Sequence, residues 1–290
     1  MNPKNNINID CFIKKSPNFS PIINLLYLYM KRNIIISLLL CLFLGMNVFA
    51  QSIHPNNESL KGKKVLYVYG GWEGHEPVQC KNLLIPWLKS EGAEVILSDS
   101  LGIYTNEQIM NSVDLIIQSW TMGSIRSEEE AGLTKAVKNG VGLAGWHGGL
   151  CDSFRGSTEY QFMTGGQWVQ HPGGVIDYDV NIRDHQDAVT KGLKDFHMHS
   201  EQYYVLVDPN VKVLATTTCS GDKISWIEGC VMPVVWKKNY GKGRIFYSSL
   251  AHVAKDFETP EVLEIMKRGI RWAAQSKYEK TESLIHPMYK

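Results

Sequence analysis

Through the middle of the chain, apolar runs of strand length alternate with amphipathic runs of helical period. KVLYVY (64–69), EVIL (94–97), DLIIQSW (114–120) and VGLAGW (141–146) are short, rich in β-branched or aromatic residues, and bounded by glycine or polar turns, as buried strands are. Between them, residues 78–91, 105–112 and 128–139 place apolar residues three and four apart, which predicts helices. This βα alternation predicts an α/β fold: parallel strands with helices on both faces. Ligands of such sheets bind outside the carboxyl ends of the strands. The loops to inspect are therefore GGWEGHE (70–76), WTMGS (120–124) and WHGGLCDS (146–153).

Beyond Asp152 the alternation stops. VIDYDVNIRD (175–184), HMHSEQYYVLV (197–207), VKVLATTT (211–218), VMPVVWKK (231–238) and RIFYSSL (244–250) read as extra strands separated by long loops. Pro260 opens a last helix, to Ser276, whose stripe of Val262, Leu263, Ile265, Met266, Ile270, Trp272 and Ala273 should pack on the sheet. There is no internal repeat or low-complexity tract.

Composition narrows the class. With 290 residues, 44% hydrophobic, 20% charged and a net charge of +1, the chain is globular, and no basic patch invites nucleic acid. Residues 30–50, MKRNIIISLLLCLFLGMNVFA, combine a Lys-Arg start, a short apolar run and a Val-Phe-Ala end, the form of a secretory signal. A periplasmic or secreted protein beginning near Gln51 is expected, with no membrane span left after cleavage. Residues 1–29 then read as an upstream mis-start, 51–62 as an N-terminal tail, 63–278 as a single domain and 279–290 as a C-terminal tail. From Gln51 on there are four cysteines: Cys80, Cys151, Cys219 and Cys230. They are too few for a disulfide scaffold; pairing of Cys219 with Cys230 and four buried thiols both fit.

GGWEGHE, GWHGG (145–149), HPGG (171–174), DHQDAVTKGL (184–193), SEQYY (200–204), PVVWKKNYGKGRIFYSSLAH (233–252) and RGIRWA (268–273), in this order, resemble the trehalose-utilisation (ThuA-like) family over nearly all of 63–275. The resemblance implies a flavodoxin-like, class I glutamine amidotransferase-like fold and a part in sugar catabolism, including glycosides oxidised to a 3-keto form. It departs from an active amidotransferase at the turn after VGLAGW, where the nucleophilic cysteine would stand and His147 stands instead. Cys151, four residues on, is past the turn and reads as a small buried hydrophobe.

His147, Glu201 and His252 are the expected acid–base groups, each where a strand meets a loop, with His147 aimed at a solvated crevice. Trp72, His75, Glu76, Trp146, Gly148, Gly149, His171 and Trp236 are the expected substrate-binding residues. Glu76 has a second reading as the cap of the helix starting at Pro77. His54 and His286 lie in the tails, His185 in a turn, and His197 and His199 on a strand surface. The sequence assigns no cofactor; a divalent metal such as zinc is open, because spacing does not join the dispersed ligands into a motif. Two functions remain. One is a hydrolase, lyase or isomerase acting on a glycoside or 3-keto-sugar derivative. The other is a non-catalytic carbohydrate-binding protein with the same pocket. Oligomeric state is open, a homo-oligomer included.

Overall fold

The computed structural model describes residues 29–30, 33, 59–280 and 284. Contacts divide the chain into units 1–56 and 57–290. Of the first, only residues 29, 30 and 33 are described, and they are helical; the signal segment otherwise lies outside the described residues, as do His54 and His286. Among the described residues no helix is long and apolar enough to cross a membrane.

The second unit begins with the expected alternation: β1 (Lys64–Gly71), α1 (Pro77–Ser90), β2 (Glu94–Ser98), α2 (Glu107–Ser112), β3 (Leu115–Thr121), α3 (Ser127–Lys138) and β4 (Gly142–Trp146). A short helix α4 (Gly148–Cys151) and α5 (Thr158–Thr164) follow, then seven strands: β5 (Gly166–Gln170), β6 (Val175–Ile182), β7 (Phe196–Glu201), β8 (Tyr204–Val207), β9 (Lys212–Thr218), β10 (Val231–Tyr240) and β11 (Gly243–Ser248). Helix α6 (Pro260–Ala274) closes the unit. Local chemistry accounts for the boundaries. Proline occupies the first turn of α1 and α6, where its missing N–H costs no hydrogen bond. Asn106 and Ser157 accept from Ile109 N and Tyr160 N to cap α2 and α5. Three glutamates open α3, and Lys135 and Lys138 close it, in the sense its dipole favours.

Nine strands form one sheet in the order β2-β1-β3-β4-β11-β10-β9-β6-β7. β2, β1, β3, β4 and β11 run parallel. β10, β9, β6 and β7 continue it antiparallel. Successive residues face opposite sides. Val65, Tyr67, Leu115, Ile117 and Phe246 meet α1 and α6, while Leu66, Val68, Ile116, Leu143 and Ile245 meet α3 and α5.

Three details differ from the sequence reading. HMHSEQYYVLV is not one strand: it breaks after Glu201, leaving β7 at the edge of the large sheet while β8 pairs with β5 in a separate ribbon. α5 and β5 had no predicted counterpart. Leu60 and Leu284, in segments expected as tails, are buried in the core.

Candidate functional site

Strand order reverses between β1 and β3, and the loops at this end of the sheet carry the site. Among the described residues, four that are not glycine have positive φ: Glu76, Met122, His147 and Ala251. They follow β1, β3, β4 and β11, neighbouring parallel strands, at their carboxyl ends. Such conformations cost on the order of 1–3 kcal/mol each and persist only where surrounding contacts hold them.

His147 is the sharpest of these turns, at φ 47° and ψ −140°. Its N–H donates to Ser248 O at 2.7 Å, and its carbonyl accepts from Cys151 N and the Tyr247 hydroxyl. The chain then passes so close to its neighbours that only glycine fits. A Cβ on Gly148 would lie 2.4 Å from His75 Cε1, and one on Gly149 would lie 2.9 Å from Ser119 Cα. Gly148 and Gly149 therefore set how near the β4 turn comes to His75 and β3.

Four side chains converge here. His75, His147, Glu201 and His252 each offer a ligand atom, all within 4.8 Å of one another. His147 Nε2 lies 3.5 Å and His252 Nδ1 lies 3.3 Å from Glu201 Oε2. These three atoms are buried and have no hydrogen-bond partner. Orphaned polar atoms cost about 1–3 kcal/mol each, so three aimed at one point imply a shared partner. Ligands about 2.0–2.1 Å from a tetrahedral zinc lie about 3.3–3.4 Å from one another; the two separations at Glu201 Oε2 are near this, and the four ligand atoms together fall within 4.8 Å. Imidazole and carboxylate donors suit zinc or a similar first-row divalent ion.

A second layer fixes the rings. His147 Nδ1 is 2.8 Å from the Tyr203 hydroxyl, and His75 Nδ1 is 2.8 Å from Thr121 Oγ1. If each Nδ1–H donates to its oxygen, both Nε2 lone pairs are left for the centre, the arrangement of metal-ligating histidines. Asp256 Oδ2 accepts from His252 N and from Ser200 Oγ, tying the loop after β11 to the end of β7. Burial pushes the His75 pKa down to about 3, helped by the neighbouring His252 and His171. Burial, with His75, His252 and His171, also holds His147 well below its ordinary value. Both rings are neutral at pH 7, the state that binds a metal.

The mouth is aromatic. Trp72, 48% exposed, meets the His75 ring edge-on with centroids 4.8 Å apart. On the other side, His171 Nε2 stands 3.7 Å from Glu201 Oε1, with Trp168 beside His171 and Arg155 over the Trp168 ring. Arg155 forms a two-pronged ion pair with Asp152.

Other expected site residues lie elsewhere. Trp236 is not at the pocket: it is fully buried beneath α5, its indole N–H donating to Thr164 O and its ring against Tyr247. Trp146 points into the opposite core against Tyr67 and Phe257, because residues before His147 alternate across the sheet. Glu76 stands at the N-cap of α1 but makes no side-chain cap; its Oε2 accepts from Ala254 N, bracing the His75 loop against the His252 loop. His147 is 1% exposed, not in an open crevice. Cys151 is buried, its thiol pushed up by burial. His197 and His199 are on the exposed face of β7, paired with Asp177 and Asp179.

Tyr203, Thr121, Asp256, Trp168 and Arg155 were not found from the sequence. Tyr203 lies two residues beyond Glu201 within SEQYY, and Thr121 ends β3 within WTMGS; the other three carry no local signal.

Residues 64–273 match the family described as ThuA, trehalose utilisation. The chain belongs to this family. Among solved structures, a ThuA-like protein from Bacteroides uniformis is 17% identical with a TM-score of 0.60, over 73% of this chain and 90% of its own. Another from Parabacteroides merdae is 19% identical with a TM-score of 0.59, over 79% and 96%. Likeness at this identity shows that the ThuA fold is shared. No curated protein sequence matches significantly.

Proposed function

We propose that this ThuA-family protein is an enzyme that holds a divalent transition ion with His75, His147, Glu201 and His252 and performs acid–base chemistry on a glycoside or keto-sugar. The convergence of His147 Nε2, His252 Nδ1 and Glu201 Oε2, buried and unpartnered, supports it most directly. A sugar-binding pocket needs stacking faces and hydrogen bonds, and gains nothing from titratable groups forced together out of water.

A divalent ion held by His75, His147, Glu201 and His252 would supply Lewis-acid polarisation of a carbonyl or hydroxyl oxygen. The chain's own residues do the rest. Trp72 offers an apolar face to a sugar ring at the mouth, and Tyr203 and Thr121 hold the two imidazoles in orientation. His171, on the more open side of Glu201, is placed to take or give a proton. Glu201 is the one carboxylate of the cluster, so the reaction is not assigned to a pair of carboxylates flanking a glycosidic bond. A thiol nucleophile is not assigned either, since Cys151 is buried and its thiolate disfavoured.

Metal analysis of the purified protein, with turnover of a panel of 3-keto glycosides before and after chelation, tests this reading. The expected result is bound metal and chelator-sensitive turnover. Sugar binding without turnover, in protein that takes up no metal, would support the carbohydrate-binding alternative. Export is proposed with it, on the sequence of residues 30–50. N-terminal sequencing of envelope fractions should begin near Gln51, and recovery of the full chain from the cytoplasm would overturn export.

A further inference from the structure

The geometry points to Cys219 and Cys230 as an oxidisable pair that closes residues 220–229 into a stapled loop against the wall of the site. β9 ends at Thr218 and β10 begins at Val231, and these two residues are register partners. The next residue outward on each strand is a cysteine. Cys219 N donates to Cys230 O at 2.9 Å, and Cys219 O accepts from Gly229 N at 3.0 Å. The ladder thus ends in an irregular step at which Gly229 and Cys230 both bond to Cys219, which keeps the two cysteine backbones in contact. Thr218 and Val231 are both exposed, whereas Cys219 is buried and Cys230 half-buried, both as free thiols. Residues whose backbones share a hydrogen bond between adjacent strands have Cα atoms roughly 5–6 Å apart, within the reach of a disulfide. The other described cysteines have no such neighbour: Cys80 and Cys151 are buried in cores on opposite faces of the sheet.

The loop they close leans on the site. A Cβ on Gly173 would lie 2.9 Å from Lys223 Cγ and 3.1 Å from its Cε, so Lys223 covers the His171–Gly174 turn. His171, at the start of that turn, is the group 3.7 Å from Glu201. The loop is therefore linked to the site through Lys223 and the turn that begins at His171.

The chemistry balances with a small-molecule disulfide as oxidant. The more accessible Cys230, as thiolate, attacks a sulfur of oxidised glutathione and expels one glutathione thiolate, which takes up the proton Cys230 gave. Cys219 then loses its proton and attacks the Cys230 sulfur of the mixed disulfide, expelling the second glutathione. Two S–H bonds are lost, one S–S bond forms, and glutathione disulfide is reduced to two thiols. The inference is independent of whether the cluster binds metal.

The test is incubation of the purified full chain in reduced or oxidised glutathione, followed by non-reducing peptide mapping and thermal melting. The expected result in oxidised glutathione is a peptide joined through Cys219 and Cys230, with a Tm rise on the order of 5–10 °C. Cys230→Ser and Cys219→Ser should each lose the joined peptide and the Tm response, whereas Cys80→Ala should keep both. The half-buried Cys230 provides the variant less prone to fold poorly. Full alkylation of both thiols after oxidation, a stable glutathione adduct on Cys230, or a joined peptide using Cys80 or Cys151 would each overturn the inference.

Discussion

Replacing Glu201 with glutamine separates a metal-binding cluster from a structural one. The substitution keeps the shape of the side chain and removes its charge. Glu201 Oε2 lies 3.5 Å from His147 Nε2 and 3.3 Å from His252 Nδ1 and accepts no hydrogen bond. A buried carboxylate oxygen that accepts no hydrogen bond opposes folding, so the Glu201→Gln protein stripped of metal should melt at the native temperature or above it. With metal the sign reverses, because the cluster loses its anionic donor. Loss of a group merely supporting a ligand costs about 10–100-fold in affinity, and loss of a ligand should cost at least that. At free zinc about 100 times the native Kd, binding stabilises native protein by about 2.7 kcal/mol. For a unit of this size that is a Tm rise of roughly 5–10 °C. The variant, with Kd raised 10- to 100-fold, should keep only about 0.4–1.4 kcal/mol at the same zinc, a rise of roughly 1–5 °C. Thermal melts of chelator-treated protein across a zinc titration measure both quantities. An equal zinc response in native protein and variant, or none in the native protein, would refute the assignment. A metal-free variant destabilised by several kcal/mol would show that Glu201 anchors the fold instead.

Three further outcomes follow from the same geometry. His75 is held at about pH 3 and His147 well below its ordinary value, so between about pH 3 and 6.5 the unfolded chain binds more protons than the folded one. Metal-free stability should therefore be full above about pH 6.5 and fall as pH drops, at up to about 1.4 kcal/mol per pH unit per histidine; urea midpoints that stay flat from pH 7 to 5 would contradict this. Position 147 has φ 47° and is buried, so His147→Ala should destabilise by about 2–4 kcal/mol, and His147→Gly should be the more stable variant by about 1 kcal/mol because glycine relieves the strain. Equal urea stabilities of the two would remove that strain from the account. Gly148→Ala would bring a methyl to 2.4 Å from His75; it should weaken zinc binding by at least tenfold in calorimetric titration, and unchanged affinity would mean that the turn does not position His75.

The sequence by itself determined the parallel half of the sheet. Val65 to Val68, Leu115 to Ile117 and Leu143 to Trp146 are apolar on both faces, as strands covered on both sides must be, and the intervening helices bear one apolar stripe each. From that arrangement the carboxyl-end loops could be named as the place for a site, and His75 and His147 with them. Glu201 and His252 were legible only as polar residues ending strands. Their meeting with His75 and His147 depends on long-range pairing: β11 inserts beside β4, and the β10-β9-β6-β7 extension carries Glu201 back to the same end. No periodicity encodes that order, because a strand's pattern states which face is buried and not which strand lies alongside. The same blindness placed Trp146 and Trp236 at the pocket, when alternation across the sheet turns both rings into the cores. It also hid Tyr203 and Thr121, whose contacts with His147 and His75 join residues 56 and 46 positions apart. Tertiary structure decided the site because its spacing is set by neighbouring strands and by backbone contacts at Gly148 and Gly149, distances that exist only after the sheet has formed.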